Sequence, residues 1–351
     1  MTRHDIITLA LAAVVTIVAG ILHYAGAGPI AAFVASAAAL ALLASVVGRG
    51  TDELGGRLGP GATGVLQSAL GNLPELFVSL FALRAGLVDV VRGALVGSIL
   101  ANSLLVLGLA FIVGGVRHGK QRFASETPRM IAMMLFLAVA ALTLPTLAAR
   151  IHSPAALHES ALSAVCAIVL LAVFLASLPF SMRGDPTVAP PQHVEAAEAW
   201  PLWLSIVVLA MAGVGAAFVS DWFVDALLPA THALGLSEAF TGLVVVAIAG
   251  NAIENVVGIQ LAAANKSDYA VSVILNSSLQ VALALTPVLV LLSFVVGPTP
   301  LTLVLPPLLV TALALSAVIT ALIVYDGESI WLEGVALVGL YVLSVAPIWW
   351  G

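Results

Sequence analysis

Gly71-Asn72-Leu73-Pro74-Glu75 and Gly250-Asn251-Ala252-Ile253-Glu254 share the pattern G-N-x-x-E, and 179 residues separate Glu75 from Glu254. A five-residue match alone is weak. The same offset, however, pairs Ala85 with Ala264, Asp89 with Asp268, Ser98 with Ser277, Leu100 with Leu279 and Leu104 with Leu283, without a gap. The chain reads as a duplication.

Both motifs lie in strongly apolar surroundings. The chain has 351 residues, 62% hydrophobic and 9% charged, with a mean hydropathy of +1.16. A soluble domain carries about 25% charged residues, so this chain lacks the surface to solvate itself in water. Cys166 is the single cysteine, which excludes a disulfide scaffold. A net charge of −6 with no dense basic cluster speaks against nucleic acid as a partner. The expected partner is the lipid bilayer, and the fold class is an all-α polytopic membrane protein.

Crossing the hydrocarbon takes about 20 mainly apolar residues. Eleven candidate spans are read at 5–22, 29–47, 60–84, 87–113, 127–148, 158–181, 201–220, 237–264, 268–295, 301–323 and 329–349. The first is taken as a retained helix, since its apolar run exceeds that of a signal peptide and no small-residue cleavage site follows. Five spans lie between the matched helices, an odd number, so the two copies cross in opposite directions. The expected domain plan is an extra N-terminal transmembrane helix (1–28), a first five-helix repeat (29–181), a cytoplasmic linker (182–200) and a second, inverted five-helix repeat (201–351). Inverted repeats are common in secondary transporters, with the site at the midplane. Within the linker, Asp185, Glu195 and Glu198 are read as a solvated loop in preference to a regulatory element. With the N-terminus inside, nine Lys and Arg fall in inner segments (Arg3, Arg49, Arg57, Arg117, Lys120, Arg122, Arg129, Arg183, Lys266) and three outside (Arg84, Arg92, Arg150). This favours N-terminus in and C-terminus out, in the cytoplasmic membrane of a prokaryote.

An ionised carboxylate inside an apolar helix costs several kcal/mol, so Glu75 and Glu254 are read as functional. At symmetric positions they would meet near the pseudo-two-fold axis, where both cannot ionise without a counter-charge. A divalent cation supplies one, and two protons supply another. Exchange of one for the other on the same oxygens is an antiport scheme. Asn72 and Ser79 share a helix face with Glu75, and Asn251 repeats the arrangement beside Glu254. Such oxygen donors suit a hard cation such as Ca2+, and no Cys/His set for zinc or copper is present. Pro74 has no N–H, which frees the carbonyl of Leu70, and Gly71 allows a kink there. The second copy has Ile253 in place of the proline, so a break there rests on Gly250.

Further polar residues follow each motif at helical spacing: Ser98 and Asn102, then Asn276 and Gln280 with Ser277 between them. For Ser98, Asn102, Ser277 and Gln280, cation contact and interhelical hydrogen bonding are both open; Asn276 is read as the latter. Asp89 and Asp268 are expected to start or cap the next helix.

These residues resemble the calcium/proton exchangers of the cation/calcium antiporter superfamily. The first repeat signature is carried by Leu58 to Gly108, with Gly-Asn-Leu-Pro-Glu-Leu and Gly97-Ser98-Ile99-Leu100-Ala101-Asn102. The second lies in Ser237 to Leu292, with Gly-Asn-Ala-Ile-Glu and Ser277-Ser278-Leu279-Gln280. The resemblance implies that Glu75 and Glu254, beside Asn72 and Asn251, bind Ca2+ and exchange it for H+, with no cofactor. It also implies that the Ser, Asn and Gln positions of the following helices line the site. Sodium/calcium exchangers typically have small hydroxyl residues where this chain has Gly71-Asn72, which tilts coupling towards protons. Relatives often have His where this chain has Asn255, and usually Gly at the position of Asn276.

The expected function is therefore export of Ca2+ from the cytoplasm against H+ by alternating access. The alternative within the class is a sodium-coupled exchanger or one for another divalent cation such as Mn2+. An intramembrane enzyme lacks any H-E-x-x-H or nucleophile-and-base pattern, and a channel sits poorly with buried titratable ligands in an inverted repeat.

Overall fold

The computed structural model describes residues 1–58, 70–182 and 200–349, which are helical almost throughout. The helices are α1 (Arg3–Tyr24), α2 (Pro29–Leu58), α3 (Leu73–Arg84), α4 (Val88–His118), α5 (Glu126–Arg150) and α6 (Glu159–Met182). They continue as α7 (Leu202–Leu234), α8 (Glu238–Gly250), α9 (Ala252–Ala263), α10 (Ser267–Val296), α11 (Pro307–Ile323) and α12 (Trp331–Val345). Two short antiparallel strands, β1 (Gln121–Arg122) and β2 (Glu328–Ser329), pair Gln121 with Ser329. Most of the linker expected at 182–200, with Asp185, Glu195 and Glu198, lies outside the described residues, as do residues 60–69 of the third expected span.

Among the described residues, eight helices are long and apolar enough to cross a membrane, and the bent pair α8–α9 makes a ninth. Their surfaces agree with that solvent. Along α1 the exposed side chains include Ile6, Ile7, Leu11, Val14, Ile17, Val18 and Ile21, and α5 exposes Met133, Phe136, Leu137, Leu144 and Leu147. Water would penalise such faces; hydrocarbon does not.

The chain divides into two compact units, each drawn from both halves of the sequence: residues 1–81 with 172–235, and 82–171 with 236–351. In the first unit α1, α2 and α7 pack together. The start of α1 is a capping box, in which Asp5 N donates to Thr2 Oγ1 (3.1 Å) and Thr2 N donates to Asp5 Oδ2 (2.7 Å). Asp5 is buried, as is Glu53 on α2, and Arg49 lies 3.0 Å from the first carboxylate and 3.1 Å from the second. Trp200 completes the clasp, donating its backbone N–H to Glu53 (3.0 Å) and its indole N–H to Asp5 (3.2 Å). Both buried anions thus have a cation and neutral donors, which is the condition for keeping them away from water.

The second unit contains a departure from the expected span at 301–323. Helix α11 begins only at Pro307, and Leu301 to Pro306 run without helical structure. Leu301, Leu303 and Leu305 are buried, so their N–H groups need partners inside the protein. Side-chain hydroxyls provide them: Leu301 N donates to Ser293 Oγ (2.7 Å), Leu303 N to Ser163 Oγ (2.9 Å) and Leu305 N to Thr146 Oγ1 (2.8 Å). Hydropathy registers only the apolar side chains of this segment, which is why it reads as helix. Thr146→Val keeps the shape and removes the acceptor, and is expected to lower stability by about 2 kcal/mol. Thermal unfolding of the detergent-solubilised protein checks this.

The 179-residue offset reappears in local structure. Helix α3 at 73–84 corresponds to α9 at 252–263, residue for residue. Gly86, with φ +79°, corresponds to Asn265, one of two described non-glycine residues with positive φ, at +60°. The flanking bonds match too: Leu87 N to Ala82 O (2.8 Å) and Lys266 N to Leu261 O (2.9 Å). Helix α4 carries a π-helical turn at Ala101–Val106, and α10 carries one at Val281–Leu285.

Asp89 and Asp268 lie in the first turns of α4 and α10, but neither is a cap. The N-cap positions are Leu87 and Lys266. Asp89 pairs instead with Arg92 (2.9 Å), and Asp268 accepts from the backbone N of Ala124 (2.5 Å).

Candidate functional site

Each G-N-x-x-E motif opens a helix with its glutamate in the first turn. In the first unit, Gly71 and Asn72 form a turn, α3 begins at Leu73, and Glu75 falls in its first turn. In the second unit, α8 ends at Gly250, Asn251 leaves helical geometry with φ −105° and ψ 17°, and Glu254 falls in the first turn of α9. The chain bends by 62° between these two helices. The bend forms without a proline, and the non-helical residue is Asn251, next to the Gly250 on which the sequence placed it. Both carboxylates therefore occupy the positive end of a helix, where the unsatisfied N–H groups favour negative charge.

In the first unit Glu75 and Ser79 are both 1% exposed, Gly71 and Asn72 are half-buried, and Leu70 precedes the turn. Ser79 stands one turn after Glu75, with no hydrogen-bond partner for its hydroxyl among the described residues.

In the second unit four of the expected residues meet in one hydrogen-bonded network. Asn251 Nδ2 donates to Ser98 Oγ (3.0 Å) on α4 and to Ala247 O (3.1 Å) on α8. Since Nδ2 faces a carbonyl, Oδ1 is the end that accepts from Ser277 Oγ (3.4 Å) on α10. Asn102 Nδ2 donates to the same Ser277 Oγ (2.9 Å). All four residues are buried. Two other acceptors are shielded from solvent but have no hydrogen-bond partner among the described residues: Glu254 Oε2 and Asn255 Oδ1. An unsatisfied carboxylate oxygen in a buried setting is costly, and a cation or a proton relieves that cost. Gln280 is half-buried and Asn276 is exposed, so Asn276 lies outside this network.

One model of a protein family matches this chain, over residues 28–183 and 204–350: that of the sodium/calcium exchanger proteins. The chain belongs to that family. Curated members similar to it include a Ca(2+)/H(+) antiporter of Synechocystis sp., 35% identical and covering 92% of this chain and 91% of the relative. Another is the Ca(2+)/H(+) antiporter ChaA of Bacillus subtilis, 33% identical and covering 98% of each chain. Among solved structures, native YfkE superposes with a TM-score of 0.82 at 30% identity, covering 97% of this chain and 99% of its own. The H+/Ca2+ exchanger CAX has the same fold, with a TM-score of 0.81 at 17% identity.

A feature of this family member that the motif reading passes over is the close crossing of α4 and α8. A Cβ on Gly97 would lie 2.0 Å from Leu243 O, one on Gly242 2.3 Å from Val90 O, and one on Gly93 2.9 Å from Ala239 O. Only glycine permits this approach, which brings Ser98 to Asn251. The Gly93-x-x-x-Gly97 spacing, a small-residue stripe on one helix face, is the sequence signal that marks it.

Proposed function

We propose that this protein is a secondary antiporter that exports Ca2+ from the cytoplasm in exchange for H+. The observation that carries the reading is Glu254, whose Oε2 is buried at a helix start without a hydrogen-bond partner among the described residues, as is Oδ1 of Asn255, the next residue in the chain. Family membership and the Ca2+/H+ antiporters among the relatives support the same reading. Glu75 and Glu254 bind the cation and the proton, with Asn72 and Asn251 beside them; Leu70, Gly71, Ser79, Ser98, Asn102, Gly250, Asn255, Ser277 and Gln280 line their surroundings. Donors of this kind are hard oxygens, which Ca2+ takes in sets of six to eight. Proton and Ca2+ compete for the same carboxylate oxygens, so acidification releases the cation and alkalinity admits it. Asn255, in place of a histidine, offers an amide oxygen that does not titrate.

The 179-residue correspondence supports two inverted five-helix repeats after an extra first helix, with eleven spans, and the distribution of Lys and Arg supports an N-terminus inside a prokaryotic cytoplasmic membrane and a C-terminus outside. The two copies then exchange roles as the site opens to each side in turn. Purified protein in proteoliposomes, given an imposed pH gradient, is expected to accumulate radiolabelled Ca2+ in a saturable manner. A sodium gradient is expected to drive none. Uptake driven by sodium alone, or flux that fails to saturate, would overturn proton-coupled antiport.

A further inference from the structure

The π-helical turn of α4 places two adjacent polar residues on opposite errands. Asn102 turns to Ser277, whereas Ser103 turns to α11. Ser103 Oγ donates to Ile99 O (2.5 Å), one turn back. Its single proton is thereby used, so in its 2.7 Å contact with Ser316 Oγ it is Ser316 that donates. Thr320, one turn along α11, donates to Ser103 O (3.4 Å). Ser103 and Thr320 are fully buried and Ser316 is 1% exposed, so water does not compete for these bonds.

A π turn leaves carbonyl groups out of the ordinary helical ladder, and it persists only where something else satisfies them. Here the hydroxyls of Ser103 and Thr320 do so, and Ser316 holds Ser103. The second copy serves as an internal comparison. Under the 179-residue offset, Asn102 corresponds to Val281, Ser103 to Ala282, Ser316 to Leu137 and Thr320 to Ala141. The whole hydroxyl set is missing where the amide is missing. That π turn is held locally, by Thr286 Oγ1 donating to Val281 O (2.8 Å). The set therefore goes with the polar residue it braces.

We propose that Ser316 and Thr320 are positioning residues for cation exchange, acting through Ser103 to hold the Asn102 amide towards Ser277 and the Glu254 helix start. This rests on the functional reading above and adds α11, which carries none of the motif residues, to the parts that set the affinity for Ca2+. Ser316→Ala and Thr320→Val, in full-length protein in proteoliposomes, are each expected to raise the half-saturating Ca2+ concentration several-fold. Together the shift is expected to be about tenfold, with maximal rate within about twofold. Ser316→Thr, which keeps the hydroxyl, restores the wild-type value. In an Asn102→Ala background the same substitutions produce no further shift, because the group they position is gone. Wild-type protein that moves no Ca2+ would refute the functional reading itself. Active wild-type protein with unshifted half-saturation in the variants would refute the positioning role, as would an undiminished shift in the Asn102→Ala background. Should Ser316→Ala yield no monodisperse protein, the isosteric Thr320→Val decides the matter by the same criteria.

Discussion

Glu254→Gln is expected to abolish proton-driven Ca2+ uptake while leaving a folded protein. The substitution keeps the size of the side chain and removes both its charge and its ability to take up a proton. One unit charge about 4 Å from another is worth about 4 kcal/mol at an effective dielectric of 20, so loss of the carboxylate weakens Ca2+ binding by roughly a thousandfold or more. Its buried Oε2 makes no hydrogen bond to the described residues, so few protein contacts are broken by the change. Uptake should therefore vanish with little change in thermal unfolding. A ligand that binds only the folded state raises its stability, so Ca2+ should protect wild-type protein against heat and fail to protect the variant. Near-normal uptake in Glu254→Gln would remove Glu254 from the mechanism.

Gly97→Ala carries the second large effect. The added methyl would stand 2.0 Å from the backbone oxygen of Leu243, and a backbone atom cannot rotate aside as a flexible side chain can. The crossing of α4 and α8 has to widen, which separates Ser98 from Asn251 and loosens the network around Ser277. Overpacking typically costs 1–3 kcal/mol, and this contact belongs at or above the upper end, about 3 kcal/mol. Gly242→Ala, 2.3 Å from Val90 O, should behave alike. Gly339→Ala on α12 meets nothing within 4 Å and should change stability by less than about 0.5 kcal/mol. Thermal unfolding in detergent ranks the three; equal behaviour of Gly97→Ala and Gly339→Ala would mean that the close crossing does not govern stability.

Glu75, Glu254 and the network residues Ser98, Asn102 and Ser277 were legible in the sequence because polar residues stand out against an apolar background. Their spacing and repetition then locate them. Other features left no such mark. The segment Leu301 to Pro306 has the composition of a membrane helix, and its extended path shows only when the hydroxyls of Ser163, Thr146 and Ser293 are seen meeting its N–H groups. The role of Asn251 as the break point also needed coordinates, since a proline announces a kink and an asparagine does not. Ser103, Ser316 and Thr320 come from segments 213 or more residues apart in bonding distance along the chain, beyond the reach of any local pattern. Asp89 and Asp268 were legible in part. They stand at their helix starts as expected, but instead of capping they bind an arginine and a backbone N–H from another loop.

The paired π turns bear on the history of the molecule. A π turn is a helix that has absorbed one extra residue. Two such turns, at 101–106 and 281–285, stand at matching points on either side of the 179-residue offset. On the duplication proposed above, a single insertion in the ancestral half-length gene accounts for both and dates it before the copying event. The later divergence is then visible as well. One copy carries the amide and its hydroxyl brace, and the other carries Val281 and Ala282 at those positions.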